Sequence, residues 1–170
     1  DWAALGEYAD GVTFPALPDP TAYAPGGQME ELLRWATGEV ERYKLQPSMT
    51  VRSVENTGVA WLEWAYGDAL ALLAGLAVKT GDDLLLPGEQ VTLVRQAGDV
   101  QFEAATGQAW FTYTETDGRQ RTLWLEDAAS LAGKLELLWL YGVGGLSVRG
   151  LWDESNDPRL WDLLRDYQAA

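Results

Sequence analysis

The order of the apolar runs constrains this chain more than any other feature. Ala9 to Phe14 is a short apolar stretch closed by Pro15, Pro18 and Pro20, the pattern of a buried strand that feeds a loop. From Gln28 to Tyr43, Met29, Leu32, Leu33, Ala36, Val40 and Tyr43 recur at helical spacing. Glu30 and Glu31 open that helix and Arg42 and Lys44 close it, as its dipole favours. Met49 to Val54, between Pro47 and the breaker Asn56-Thr57-Gly58, predicts a second strand. Strand, helix, strand in this order predicts a crossover connection and a parallel sheet, so the fold class is α/β.

The pattern then changes. Tyr66 to Ala77 keeps helical spacing, but Val91 to Arg95, Val100 to Ala104, Ala109 to Thr114 and Arg121 to Leu125 are short β-prone runs separated by glycine-containing turns. They predict a small antiparallel insertion, whose clearest hairpin joins Trp110 to Thr114 with Gln120 to Trp124 through Asp117-Gly118. Asp127 to Tyr141 returns to helix, with Gly142 placed for a left-handed cap. Val143 to Val148 supplies another strand, and Asp157-Pro158 reads as an N-cap and first turn of a last helix.

Composition narrows the chemistry. The chain lacks both cysteine and histidine, which excludes disulfides, thiolate or imidazole metal sites, and Ser-His-Asp or Cys-His catalysis. Carboxylates and tyrosines are left as the acid/base groups, and no cofactor or metal is implied. A net charge of −14 argues against nucleic acid as a partner. No apolar stretch is long enough for a membrane span. The chain begins at Asp1 without an initiator Met or a signal-like segment, and we read it as a piece of a longer protein. Nine tryptophans among 170 residues serve either as core filling or as platforms for flat ligands such as sugar rings.

Several of these elements can be read together: Trp110-Phe111-Thr112-Tyr113-Thr114, Asp117-Gly118, Leu123-Trp124-Leu125-Glu126-Asp127, Ser130, Lys134, Tyr141-Gly142, Gly144-Gly145, Ser147, Asp157-Pro158 and Leu160-Trp161. This string resembles the closing part of family 18 glycoside hydrolases, in particular the bacterial branch acting on spore-cortex and cell-wall glycans. Leu5-Gly6-Glu7-Tyr8-Ala9-Asp10 is similar to that family's lead-in to its sixth barrel strand. The resemblance implies an incomplete (β/α)8 barrel carrying about the last three βα units. Residues 1–58 would hold strands six and seven with the helix between them, 59–125 an α+β insertion, and 126–170 the last barrel helix, closing strand and C-terminal helix. It also implies an extracellular or cell-envelope setting and an N-acetylglucosamine-containing glycan, of chitin or peptidoglycan type, as ligand.

The family's catalytic residues do not carry over. Its Asp-rich fourth-strand motif, ending in the glutamate that protonates the leaving oxygen, is absent, and the pairs Glu30-Glu31 and Asp82-Asp83 lack its alternation. Pro15, Ala16, Leu17 and Pro18 stand where a Met-x-Tyr-Asp would supply a tyrosine. Arg149 stands where an aromatic would floor the sugar subsite, with Trp152 three residues on. No catalytic residue is therefore assigned. Trp61, Trp64, Tyr66, Trp110, Arg149 and Trp152 are the substrate-binding candidates, and each has a packing or surface role as its alternative. Trp61 and Trp64 are read as lying on one face near a helix start.

Three functions follow: a glycan-acting barrel fragment without hydrolase activity of its own, a non-catalytic glycan-binding module, and a structural or assembly module. A closed barrel typically takes about 250 residues. Three free parallel strands would expose edges and an apolar inner face, so the missing barrel half or a second copy is the expected partner.

Overall fold

A computed structural model describes residues 1–79, 92–95, 97–115 and 118–169. The Asp82-Asp83 pair, Val91 and Asp117 lie outside the described residues. The fold is mixed α/β and is organised by two larger sheets, one parallel and one antiparallel.

The parallel sheet has the order β1 (Val12–Pro15), β2 (Leu45–Thr50) and β10 (Ser147–Arg149). Helices α2 (Gln28–Glu39) and α4 (Ala128–Tyr141) pack against it, with α1 (Trp2–Tyr8) and α5 (Leu160–Ala169) alongside. Met29, Leu33 and Ala36 of α2 fall at i, i+4 and i+7 and are fully buried, and they meet Val12, Phe14, Leu45 and Met49 from the sheet. The α2 helix stops at Glu39, short of the Tyr43 expected from spacing. Val40, 2% exposed, is drawn into the core in an extended conformation, and a 3-10 turn at Arg42–Lys44 then leads into β2.

The β2 strand starts before Pro47 rather than after it. Pairing with β10 begins only at Ser48, so β2 is still an edge at Pro47 and the missing N–H interrupts no ladder there. The predicted strand from Met49 to Val54 is in fact two. At Val51 and Arg52 the chain leaves the parallel sheet, and β3 (Ser53–Asn56) belongs to the antiparallel one.

The uncovered face of the parallel sheet corrects an expectation. Register places Thr13 beside Gln46, Pro15 beside Ser48 and Ser147, and Thr50 beside Arg149, so this face is mainly hydroxyl, amide and guanidinium rather than apolar. Thr13 Oγ1 donates to Gln46 Oε1 at 3.3 Å. The alternate residues of β1 and β2 take up the core burial, so the polar ones are left for the open side.

The antiparallel sheet has the order β4 (Trp61–Trp64), β3, β9 (Gln120–Trp124), β8 (Ala109–Thr114) and β7 (Gln101–Phe102). Helix α3 (Tyr66–Ala74) covers one of its faces through Ala69 against Phe111, Tyr113 and Leu123. A separate two-stranded antiparallel sheet pairs β5 (Leu76–Lys79) with β6 (Thr92–Arg95). The strand predicted from Val143 to Val148 shortens to β10 because Gly144 lies flat against Tyr43. Its N–H donates to Arg42 O at 2.9 Å, and a Cβ there would overlap the Tyr43 carbonyl. Gly142 takes the expected left-handed cap at φ 60°.

Candidate functional site

Strand alternation divides the antiparallel sheet into two unlike faces. On the face under α3, Trp64 donates from Nε1 to Glu55 Oε2 at 2.7 Å and meets the Tyr113 ring edge-on at 6.3 Å. Arg121 closes this group, bonding Glu115 at 2.9 Å and lying 3.5 Å from Glu55. Glu55 is 2% exposed, and its carboxylate, after burial, raises the pKa of Tyr113. These groups satisfy one another, so this face is packing.

The opposite face is built in rows. Glu63, Val54, Trp124, Trp110 and Gln101 lie side by side across the five strands, and Trp61, Asn56, Thr122 and Thr112 form the next row. The indoles of Trp110 and Trp124 are 5.6 Å apart and tilted. The loop after β1 stands opposite, with Asp19 capping a 3-10 turn at Pro20–Tyr23. Between them is a cleft of about 470 Å³, walled by Trp61 and Trp124, floored by Asn56, Thr122 and Gln120, and rimmed by Asp19 and Thr21. The part-exposed Trp61 indole can stack on a sugar ring, and the neutral amides and hydroxyls beside it can hydrogen-bond the ring's substituents.

The structure sorts the six candidates from sequence. Trp61 and Trp110 lie on this open face, with Trp124 beside Trp110 in its row. Trp61 and Trp64 are not in a helix. The turn at Gly58, φ 84°, folds them back on β3 as strand β4, and residues three apart on a strand point to opposite faces. Trp64 therefore packs against the core under α3, and Tyr66, the first residue of that helix, packs against the same core. Arg149 reaches the open face from the end of β10, where it pairs with Glu63 at 3.0 Å. Trp152, 87% exposed, lies 5.4 Å from Trp161 of α5. Trp124, Asn56, Thr122 and Asp19 were not singled out from sequence. The alternation of the hairpin, Trp110-x-Thr112 against Thr122-x-Trp124, is the signal that could have found Trp124 and Thr122.

Glu126 is the strongest acid/base candidate by environment, and its geometry argues against that role. Burial raises its pKa, with Lys134 opposing. Yet it is 1% exposed, is paired with Lys134, accepts from Gln108 Nε2 at 3.0 Å, and does not line the cleft. Lys134 lies 5.1 Å from the Tyr23 ring centre, and Tyr23 is itself shifted upward by burial and by Glu126. A hollow of about 630 Å³ beside them, lined by Tyr23, Lys134 and Trp139, thus opens on an ion pair already complete. No grouping of three metal-ligating side chains occurs among the described residues, and no described helix is long and apolar enough to cross a membrane.

The two sheets and their flanking helices reproduce a fold found in solved chitinases and spore cortex-lytic enzymes, the class the sequence resembles. Chitinase from Chromobacterium violaceum ATCC 12472 superposes with a TM-score of 0.65 at 23% identity, covering 100% of this chain and 49% of that one. The Bacillus cereus spore cortex-lytic enzyme SleL gives 0.64 at 20% identity, over 98% of this chain and 37% of that one. A class V chitinase from Pseudomonas fluorescens Pf-5 gives 0.61 at 18% identity, over 99% and 50%. The likeness at these identities is one of fold, and the chain spans half or less of each structure's length. No protein-family model matches the sequence. No curated protein matches it either.

Proposed function

We propose that this chain is the C-terminal portion of a glycoside hydrolase family 18-like protein associated with N-acetylglucosamine-containing glycans, without hydrolase activity of its own. The observation that carries this reading is a fold match covering 98–100% of the chain to a chitinase and a cortex-lytic enzyme. In this reading β1, β2 and β10 are about three strands of an incomplete barrel. The antiparallel face forms one wall of a saccharide groove, with the part-exposed indoles of Trp61 and Trp110 as its aromatic surface, Trp124 buried beside Trp110, and Arg149 held at its edge by Glu63. The remaining strands come from the rest of a longer polypeptide or from a second copy. Light scattering showing a stable dilute monomer would remove the second copy.

A second reading, a self-standing glycan-binding or structural module, is favoured by one observation. The uncovered face of the parallel sheet is largely polar, so it can meet water without a partner. The first reading and the glycan-binding form of the second place saccharide against the same indoles. Tryptophan fluorescence titrated with N-acetylglucosamine oligomers tests them: a saturable change that is lost in Trp61→Ala supports binding, and no change at millimolar ligand dismisses it. Release of reducing ends from the same oligomers would refute the absence of hydrolase activity.

A further inference from the structure

We infer that the cleft beneath Trp61 and Trp124 selects uncharged saccharides and that Asp19 is the residue that rejects carboxylate-bearing ones. This rests on the glycan reading above and concerns which glycan the cleft accepts. Among the residues lining the cleft, Asp19 is the one charged side chain. The others are indole, amide, hydroxyl and glycine, groups that complement acetamido and hydroxyl substituents and offer no countercharge.

Arg121 leaves β9 on the far face, where it meets Glu115 and Glu55 and donates from Nη1 to the Thr57 carbonyl at 2.8 Å, and Arg149 is matched by Glu63. Asp19 also keeps part of its carboxylate uncommitted to the turn it caps. Both of its hydrogen bonds, from Thr21 N at 2.9 Å and Thr21 Oγ1 at 2.7 Å, fall on Oδ1. An anionic ring substituent in the cleft would face that carboxylate within a chain of net charge −14, with no cation lining the wall.

Two like charges roughly 6 Å apart, at an effective dielectric between those of a protein surface and water, weaken binding about tenfold. The test compares an N-acetylglucosamine tetramer with a tetramer of equal length in which N-acetylmuramic acid alternates, by fluorescence titration of the whole chain. The expected result is about tenfold tighter binding of the neutral tetramer, narrowing in about 0.5 M salt, where the Debye length is about 4 Å. Asp19→Asn preserves the cap, because asparagine caps as well as aspartate. It should leave the urea midpoint unchanged and bring the affinities for the two tetramers to within about threefold of each other. Equal binding of the two tetramers by the unaltered chain would overturn the inference and leave the glycan reading standing. So would a preference unchanged in Asp19→Asn, or neutral binding unaffected by Trp61→Ala. Binding of neither tetramer would overturn both.

Discussion

Replacing Lys134 by methionine isolates the buried charge beneath α4. The substitution keeps most of the side chain's length and apolar bulk and removes the ammonium. Glu126, 1% exposed, then keeps only Gln108 Nε2, at 3.0 Å, and the Ser130 side chain as polar partners, both uncharged. Breaking a buried ion pair from one side typically costs about 3–5 kcal/mol, and loss of the ammonium above Tyr23 adds about 0.5–1 kcal/mol. Glu126 can relieve this by taking up a proton, because burial already holds its pKa above the usual 4.5 despite Lys134. A carboxyl with a raised folded-state pKa stabilises fully below its unfolded value, and that contribution is lost as pH climbs through the folded value. The variant's deficit should therefore grow with pH. With a urea slope of about 2 kcal/mol/M, a loss of about 4 kcal/mol lowers the midpoint by about 2 M at pH 8, and by about half that at pH 5. Adding Glu126→Gln should recover most of the loss, since an uncharged pair leaves no buried ion. Circular dichroism in urea reads all three proteins. A deficit below about 1 kcal/mol at pH 8, or equal deficits at the two pH values, would refute the account.

Other substitutions test separate features. Hydrogen bonds from Arg159, joined by the Ala128 N–H at 3.0 Å, hold Asp157 at a pKa of about 2. Its stabilisation is thus complete above its ordinary 3.8 and lost as pH falls toward 2. Asp157→Asn should flatten that limb of a urea midpoint measured against pH. Asp127 and Ser130 cap α4 reciprocally, so Asp127→Ala should cost about 1 kcal/mol in a thermal melt and Asp127→Ser much less. Gly144→Ala should cost about 3 kcal/mol or more, because the obstruction is the Tyr43 backbone. Gly145→Ala, whose nearest neighbour is Gln46 Cγ at 3.5 Å, should cost under about 1 kcal/mol. Expression and melting of the two glycine variants side by side would settle the contrast.

The elements legible in sequence were those fixed by local chemistry. The α2 face shows in Met29, Leu33 and Ala36, the start of α4 in Asp127, and its end in Gly142. Where tertiary pairing decides, local reading fell short. Trp61 and Trp64 fit helical spacing as well as a strand, and only the turn at Gly58 and the partner β3 select the strand. The stretch from Met49 to Val54 has one hydrophobic character but serves two sheets, and nothing local to Val51 and Arg52 marks the change. Of the cleft, Trp61 is the one lining residue among the sequence candidates; Trp124, buried at 8%, reads as core until the register sets it beside Trp110. Asp19 comes from a loop distant in sequence and carries no motif.

The junction between the sheets has a consequence for engineering. The chain passes into the antiparallel unit at Ser53 and leaves it at Leu125, and Val54 and Trp124 are paired neighbours. Glu126 N–H donates to Ser53 Oγ at 3.1 Å across this gap. The roughly seventy residues between join the rest of the chain at adjacent strand ends and are held down by side contacts, Glu63 with Arg149 and Gln108 with Glu126. A graft at this junction starts with both cut ends side by side, and a turn put in place of the unit must also replace the hydrogen bond that Gln108 gives the buried Glu126.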